Sequence, residues 1–332
     1  MKAAFLEHTG SPDVIQFGEI PQPTPKDNEV LVQVGAASVN PIDTYIRSGT
    51  VQMKLPLPFI PGCDLAGTVV AVGPQAKHYK AGDRVWGSNQ GLLGRQGTSA
   101  QYASVPEDFL YPTPIGVKDE EVAALALVGI TAHLGLFQFA HTVRGDTVFV
   151  NGGAGGVGSA VVQMATAVGA RVITTVGSPE KAALARELGA DVVINYKTEN
   201  VIEAVQKATE GRGVQVWYET QPPSDLDKMI EAMAARGRIV VMAGRAARPV
   251  FPNGPFYVKG LSLFGFAMFN IPASEQRICA QDINRFLSEK KLRAHIGTRF
   301  PLDQLAQAHR LQEENTLKKS GSLSGKIIIL PG

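Results

Sequence analysis

The run FVNGGAGGVGSAVVQMA carries Gly153, Gly155 and Gly158 in a G-x-G-x-x-G pattern. Glycines so spaced allow a tight turn and let a pyrophosphate approach the backbone, and a helix that begins there offers free N–H groups and a positive dipole end. Gly156 and Val157, inside the pattern, belong to the same cradle. The run leaves an apolar strand-like stretch and enters a helical one, which is the context that separates a dinucleotide site from a bare glycine turn.

An NAD site usually carries Asp or Glu about 20 residues further on, for the ribose hydroxyls. Here the sequence reads VITTVGSPEKAALA, with Val176 and Gly177 where the acid would stand. Ser178 reads as a helix N-cap and Pro179 as the first helical residue. Lys181 then falls in the first turn, where a cation opposes the helix dipole. A bound 2′-phosphate with Ser178 and Lys181 as partners explains that arrangement; a solvated lysine is the alternative. Tyr196, ending the next strand, is placed to lie beside an adenosine. NADPH is therefore the expected cofactor.

A third stretch, IPGCDLAG, sets Cys63 beside Asp64 between glycines. The thiol could be a metal ligand, a nucleophile or a plain small side chain. A reactive thiolate needs a nearby cation or helix N-terminus.

The 332 residues are 44% hydrophobic, enough for two cores. A net charge of +2 gives no footprint for nucleic acid. Two cysteines imply no disulfide framework and fit a reducing cytoplasm. No secretory signal is read at the N-terminus, and no apolar run of about 18 residues is read as a membrane span.

Residues 1–122 hold short apolar runs between Gly- and Pro-rich turns and read as mostly β. DEEVAALALVGITAHLGLFQFA reads as a long helix. Beyond it, DTVFVNG, ARVITTVG, DVVINY, VQVWYE, RIVVMAG and LSLFGFAMF read as six buried strands, separated over the first five by helices such as SPEKAALARELG and SDLDKMIEAMAARG. That alternation predicts an α/β doubly wound parallel sheet over 123–265. In 266–332, SEQRICAQDINRFLSEK and LDQLAQAHRLQEE read as amphipathic helices and GKIIIL as a last strand, a tail expected to return to the N-terminal part.

ASVNPIDTYIRSG, PGCDLAGTVVAVG, KAGDRVWG, GTSAQYASVP, GITAH, NGGAGGVG and SGKIIIL together resemble the medium-chain dehydrogenases/reductases, in particular the zinc-independent quinone oxidoreductase branch that includes zeta-crystallin. The resemblance runs nearly the whole length. It implies a GroES-like catalytic domain at 1–122, a Rossmann NADP-binding domain at 123–265, and a return segment at 266–332 that completes the first. In zinc-dependent relatives three ligands stand where this chain has Asn40, Cys63 and Val128. Valine cannot bind zinc, and a catalytic zinc needs three protein ligands. No metal is expected, and Cys63 and Val128 are expected in the pocket wall.

Without a Lewis acid, alcohol oxidation is disfavoured. A nicotinamide hydride can still reach an electrophilic acceptor such as a quinone or an α,β-unsaturated carbonyl. Charge developing on the acceptor oxygen then needs hydrogen-bond donors. The resemblance places Asn40 and Tyr45 beside the nicotinamide for that role, with Asp43 and Arg47 as supports, possible partners in an ion pair. It also implies that Arg245 binds phosphate and that Phe269 flanks both nicotinamide and pocket. Val51 stands where enoyl-thioester reductases carry tyrosine, and ETQPPSD departs from the commoner D-x-V-G-G. The expected activity is NADPH-dependent quinone reduction, by a homodimer joined through the apolar edge strand LSLFGFAMF. An alkenal or enone reductase, and a non-catalytic NADPH- or RNA-binding crystallin-like protein, are the alternatives.

Overall fold

The computed structural model describes residues 1–222, 224–318 and 320–332. Two compact units divide the chain. The first is Met1–Leu127 with Ile271–Ser288 and Arg293–Gly332; the second is Val128–Asn270 with Glu289–Leu292. The expected boundaries at 122/123 and 265/266 fall inside a helix and directly after a strand.

In the first unit β1 (Lys2–Phe5) pairs with β2 (Gln16–Glu19). β3 (Glu29–Val39), β4 (Asp64–Val72), β5 (Arg84–Gly87), β6 (Tyr102–Pro106) and β7 (Leu110–Pro112) pair antiparallel around β3 and β4. Val30, Val32, Val34, Leu65, Val69, Val85 and Val105 form their buried core. The chain leaves β3 directly into α1 (Pro41–Arg47), where Asn40 and Asp43 make a capping box and Pro41 opens the helix.

Asp119–His133 forms α2, continued by a wider turn at Leu134–Phe139. These 21 residues are long and apolar enough to cross a membrane, contrary to the expectation that no run qualifies. The segment is mostly buried in the protein, as a core helix is, and core helices satisfy the same compositional test.

The second unit contains the six expected strands: β8 (Thr147–Asn151), β9 (Arg171–Val176), β10 (Val192–Asn195), β11 (Val214–Glu219), β12 (Met233–Val241) and β13 (Ser262–Gly265). Their order is β10-β9-β8-β11-β12-β13, and every neighbour is parallel. The helices are α3 (Gly156–Ala167), α4 (Pro179–Glu187), α5 (Val201–Ala208), α6 (Leu226–Ala232) and α7 (Asn253–Val258). Two expectations shift. The helix read through SDLDKMIEAMAARG stops at Ala232, because β12 begins at Met233 and pairs with β11 there. LSLFGFAMF gives a strand of only four residues, followed by a 3₁₀ turn at Met268–Asn270.

The tail returns to the first unit. α8 (Ala273–Ser288) and α9 (Leu305–Thr316) are the expected helices, β14 (Ile296–Pro301) is a strand the pattern did not mark, and β15 (Lys326–Leu330) pairs antiparallel with β3.

α9 packs on α1 and carries His309, which is 1% exposed and has no protein partner at either ring nitrogen among the described residues. Burial, and next the nearby Arg47 charge, push its pKa down to about 3. The unfolded chain protonates His309 near its ordinary value of about 6.5, whereas the fold does not. Its contribution is therefore fully present above that value and is lost as pH falls toward about 3. At pH ~5 the loss is about 2 kcal/mol. Asp43 and Glu219, both pushed up to about 7 chiefly by burial, act in the opposite sense. Because they are common to both proteins, His309→Gln should shrink the drop in Tm between neutral and mildly acid pH. An equal drop in both proteins would show that His309 takes up its proton in the fold as readily as in the unfolded chain.

Candidate active site

The β3–α1 junction gathers an interior polar cluster. Asp64, opening β4, is fully buried. Its Oδ2 accepts from Ser38 Oγ at 2.8 Å and Asn40 Nδ2 at 2.7 Å. Its Oδ1 accepts from Ser88 Oγ at 2.7 Å and the Leu127 backbone N–H at 3.1 Å. Burial still holds its pKa above the usual carboxylate value, against the Lys326 charge and these donors. Lys326, opening β15, is 7% exposed and donates from Nζ to the Val39 carbonyl at 3.0 Å and to Asn40 Oδ1. Asp43 accepts the Asn40 N–H at 2.7 Å. It is pushed up to about 7 by burial and, less, by the Asp64 charge, while the Cys63 thiol beside it favours the charged form.

Cys63 thereby resolves into a small interior side chain. It is wholly buried, and burial with the charges of Asp43 and Asp64 lifts its thiol well above the ordinary range. That is the reverse of what a nucleophile or a metal-bound thiolate needs. Asn40 Oδ1 faces an ammonium, and Val128, 4% exposed in the second unit, offers no donor atom. Among the described residues no three His, Cys, Asp or Glu side chains gather as a metal's donor set. These residues do not suit a zinc ion.

Asn40 is 0% exposed, and its carboxamide is engaged at both ends. Tyr45, on α1, is only part-buried, and burial raises its pKa so that the phenol keeps its proton at neutral pH. Arg47 does not pair with Asp43. It pairs with Glu313 of α9 and donates to the Gly10 carbonyl, while Asp43 caps α1.

In the second unit the glycine loop joins β8 to α3 at the point where neighbours β9 and β11 run out on opposite sides of β8, the switch point where ligands bind in such sheets. A Cβ on Gly158 would press into the Gly152 carbonyl, and one on Gly153 into Thr174. A Cβ on Gly155 would meet the Gly152 carbonyl more closely than usual, at 3.3 Å, and Gly155 serves as the N-cap, leaving the first turn of α3 without a side-chain cap. The loop's left-handed residue is Gly152, φ +86°, just outside the expected pattern. Gly156 and Val157 open α3. Across the switch point Glu219 accepts from Asn151 Nδ2 at 2.8 Å, the Gln221 N–H at 2.7 Å and Trp217 Nε1 at 3.1 Å. These bonds brace the ETQPPSD turn; its Pro223 lies outside the described residues. Neither Glu219 nor Lys326, both buried, is among the expected site residues.

Beyond β9, Ser178 is the N-cap of α4 and accepts from the Lys181 N–H at 3.3 Å, with Pro179 first in the helix. Lys181 is thus its third residue. Tyr196 is 54% exposed and lies across Gly177, where a Cβ would strike its hydroxyl. Ser178, Lys181 and Tyr196 thus mark one end of the β9–β10 edge, without an acid at Val176 or Gly177. Arg245 is exposed in the loop after β12, and Phe269 sits part-buried in the turn after β13.

Two family descriptions match: "Alcohol dehydrogenase GroES-like domain" over residues 26–115 and "Zinc-binding dehydrogenase" over 156–285. A "Quinone oxidoreductase" of Homo sapiens is 33% identical over 331 residues, covering 99% of this chain and 98% of that one. The crystal structure of Escherichia coli quinone oxidoreductase complexed with NADPH superposes with a TM-score of 0.87 at 27% identity, covering 100% of both chains. A structure of "2-Haloacrylate Reductase" gives 0.84 at 29% identity, over 100% of this chain and 99% of that one.

Proposed function

We propose that this chain, which belongs to the quinone oxidoreductase family of medium-chain dehydrogenases/reductases, reduces quinones with NADPH and without zinc. The carrying observation is the acid-free end of β9 with Lys181 in the first turn of α4. It favours a 2′-phosphate over a bare ribose diol. The tight Gly153–Gly158 turn and the uncapped start of α3 suit a pyrophosphate.

Bound NADPH supplies the hydride. The chain's own residues bind and orient, and they meet charge on the acceptor. Tyr45, part-buried and protonated, is the donor to the acceptor oxygen. Asn40, buried and engaged at both ends, supports the start of the helix that carries it. Arg245 is assigned to phosphate, and Phe269 to the wall of the nicotinamide site. The final proton comes from solvent.

The test is NADPH consumption with a panel of quinones, enones and alcohols. Rapid turnover with quinones supports the reading; oxidation of alcohols and silence toward quinones overturns it. Preference for enones would favour the second reading, an alkenal or enone reductase, which the likeness to 2-haloacrylate reductase supports. No NADPH consumption with any acceptor would leave a binding role.

Elemental analysis of protein purified without chelators should find no near-stoichiometric zinc, and chelation should leave the rate unchanged. Stoichiometric zinc would contradict the metal-free reading.

A homodimer fits the second unit's edge strand β13, where Leu263 is exposed, as are Val250, Tyr257 and Val258 in the preceding segment. An open apolar edge is hazardous unless paired or covered, and a two-fold copy closes it. Light scattering at micromolar concentration should give twice the mass of one chain; a monomer would count against this.

A further inference from the structure

Lys326, the lysine of SGKIIIL, has no expected role in the site and yet lies in the first unit's polar cluster. An ammonium can only donate. Its contact with Asn40 therefore fixes the carboxamide with Oδ1 toward Lys326 and Nδ2 toward Asp64, and a flipped amide would set donor against donor and acceptor against acceptor. The same Nζ holds the Val39 carbonyl at 3.0 Å. Val39 ends β3, Asn40 caps α1, and the Asn40 N–H binds Asp43 at 2.7 Å. One buried cation thus pins the junction from which α1, and Tyr45 on it, departs.

We propose that Lys326 is a positioning residue for the reaction: its ammonium locks Asn40 and the β3–α1 junction, and so holds Tyr45 where it can meet the acceptor oxygen. This rests on the reading of Tyr45 as the donor. Removing the cation alone strands Asp64 as an uncompensated buried carboxylate, which is costly for folding. The decisive variant therefore neutralises both, Lys326→Met with Asp64→Asn, beside Lys326→Met alone.

The experiment is a double-mutant cycle on kcat, with NADPH Kd measured separately. If Lys326 acts through Tyr45, Tyr45→Phe costs tenfold or more in the native background but less than about threefold in either Lys326→Met background, because coupled residues are not additive. NADPH Kd stays unchanged, since the glycine cradle belongs to the other unit. Tyr45→Phe costing the same factor in every background would overturn the proposal. A second readout needs no substrate. Amide exchange across Pro41–Arg47 should quicken at least tenfold in the paired variant while β8–β11 keep their protection. Unchanged exchange in α1 would overturn the proposal as well. A native protein inactive with all acceptors would instead defeat the quinone reading, and the exchange result would still decide the positioning claim.

Discussion

Replacing Lys181 with alanine should raise the KM for NADPH by about ten- to hundredfold and barely change the use of NADH. A charge-assisted hydrogen bond is worth about 1.5–3 kcal/mol, and ~1.4 kcal/mol is one decade in affinity. Lys181 is the third residue of α4, where its charge opposes the helix dipole, and Ser178 caps the same turn. A phosphate at that turn makes the cation favourable there. NADH lacks the phosphate, so steady-state kinetics with the two cofactors isolate the effect. Equal losses with both would remove Lys181 from 2′-phosphate recognition.

Tyr45→Phe should lower kcat by roughly tenfold or more while NADPH affinity holds, since loss of one oxyanion donor can cost up to about 10²–10³. A donor that meets the charged state better than the neutral carbonyl lowers the barrier and not merely KM. The Tyr45 phenol is protonated at neutral pH, as a donor must be, and burial raises its pKa further. Quinones accept electrons readily, so their loss should be smaller than that of enones. Wild-type kcat with every acceptor would reduce Tyr45 to packing.

The dinucleotide half of the molecule is legible in its sequence because its signals are local. Each strand is a near-continuous apolar run, Ser178 and Pro179 announce α4, and the glycines stand within one loop. Even so, the left-handed turn falls at Gly152, which the G-x-G-x-x-G spacing does not include. The first unit's site is much less legible. Lys326 bonds to residues 287 and 286 positions away, and a lysine opening an apolar strand looks like a charge at a strand end. Arg47, four residues from Asp43, invites a local ion pair, but its partner Glu313 is 266 positions distant. Cys63 is open in sequence because metal, nucleophile and packing roles share one residue type; its full burial beside two carboxylates favours packing. β13 ends at Gly265, and Phe264 within it and Phe266 just beyond it pack on Phe139, a contact that apolar composition alone does not reveal.

The most direct measurement is a stoichiometric turnover of chelator-treated protein with NADPH and a simple quinone. The account predicts one hydroquinone formed per NADPH consumed, at the rate of untreated protein and far faster than with NADH. Failure to consume NADPH, or activity that vanishes on chelation and returns with zinc, would contradict it.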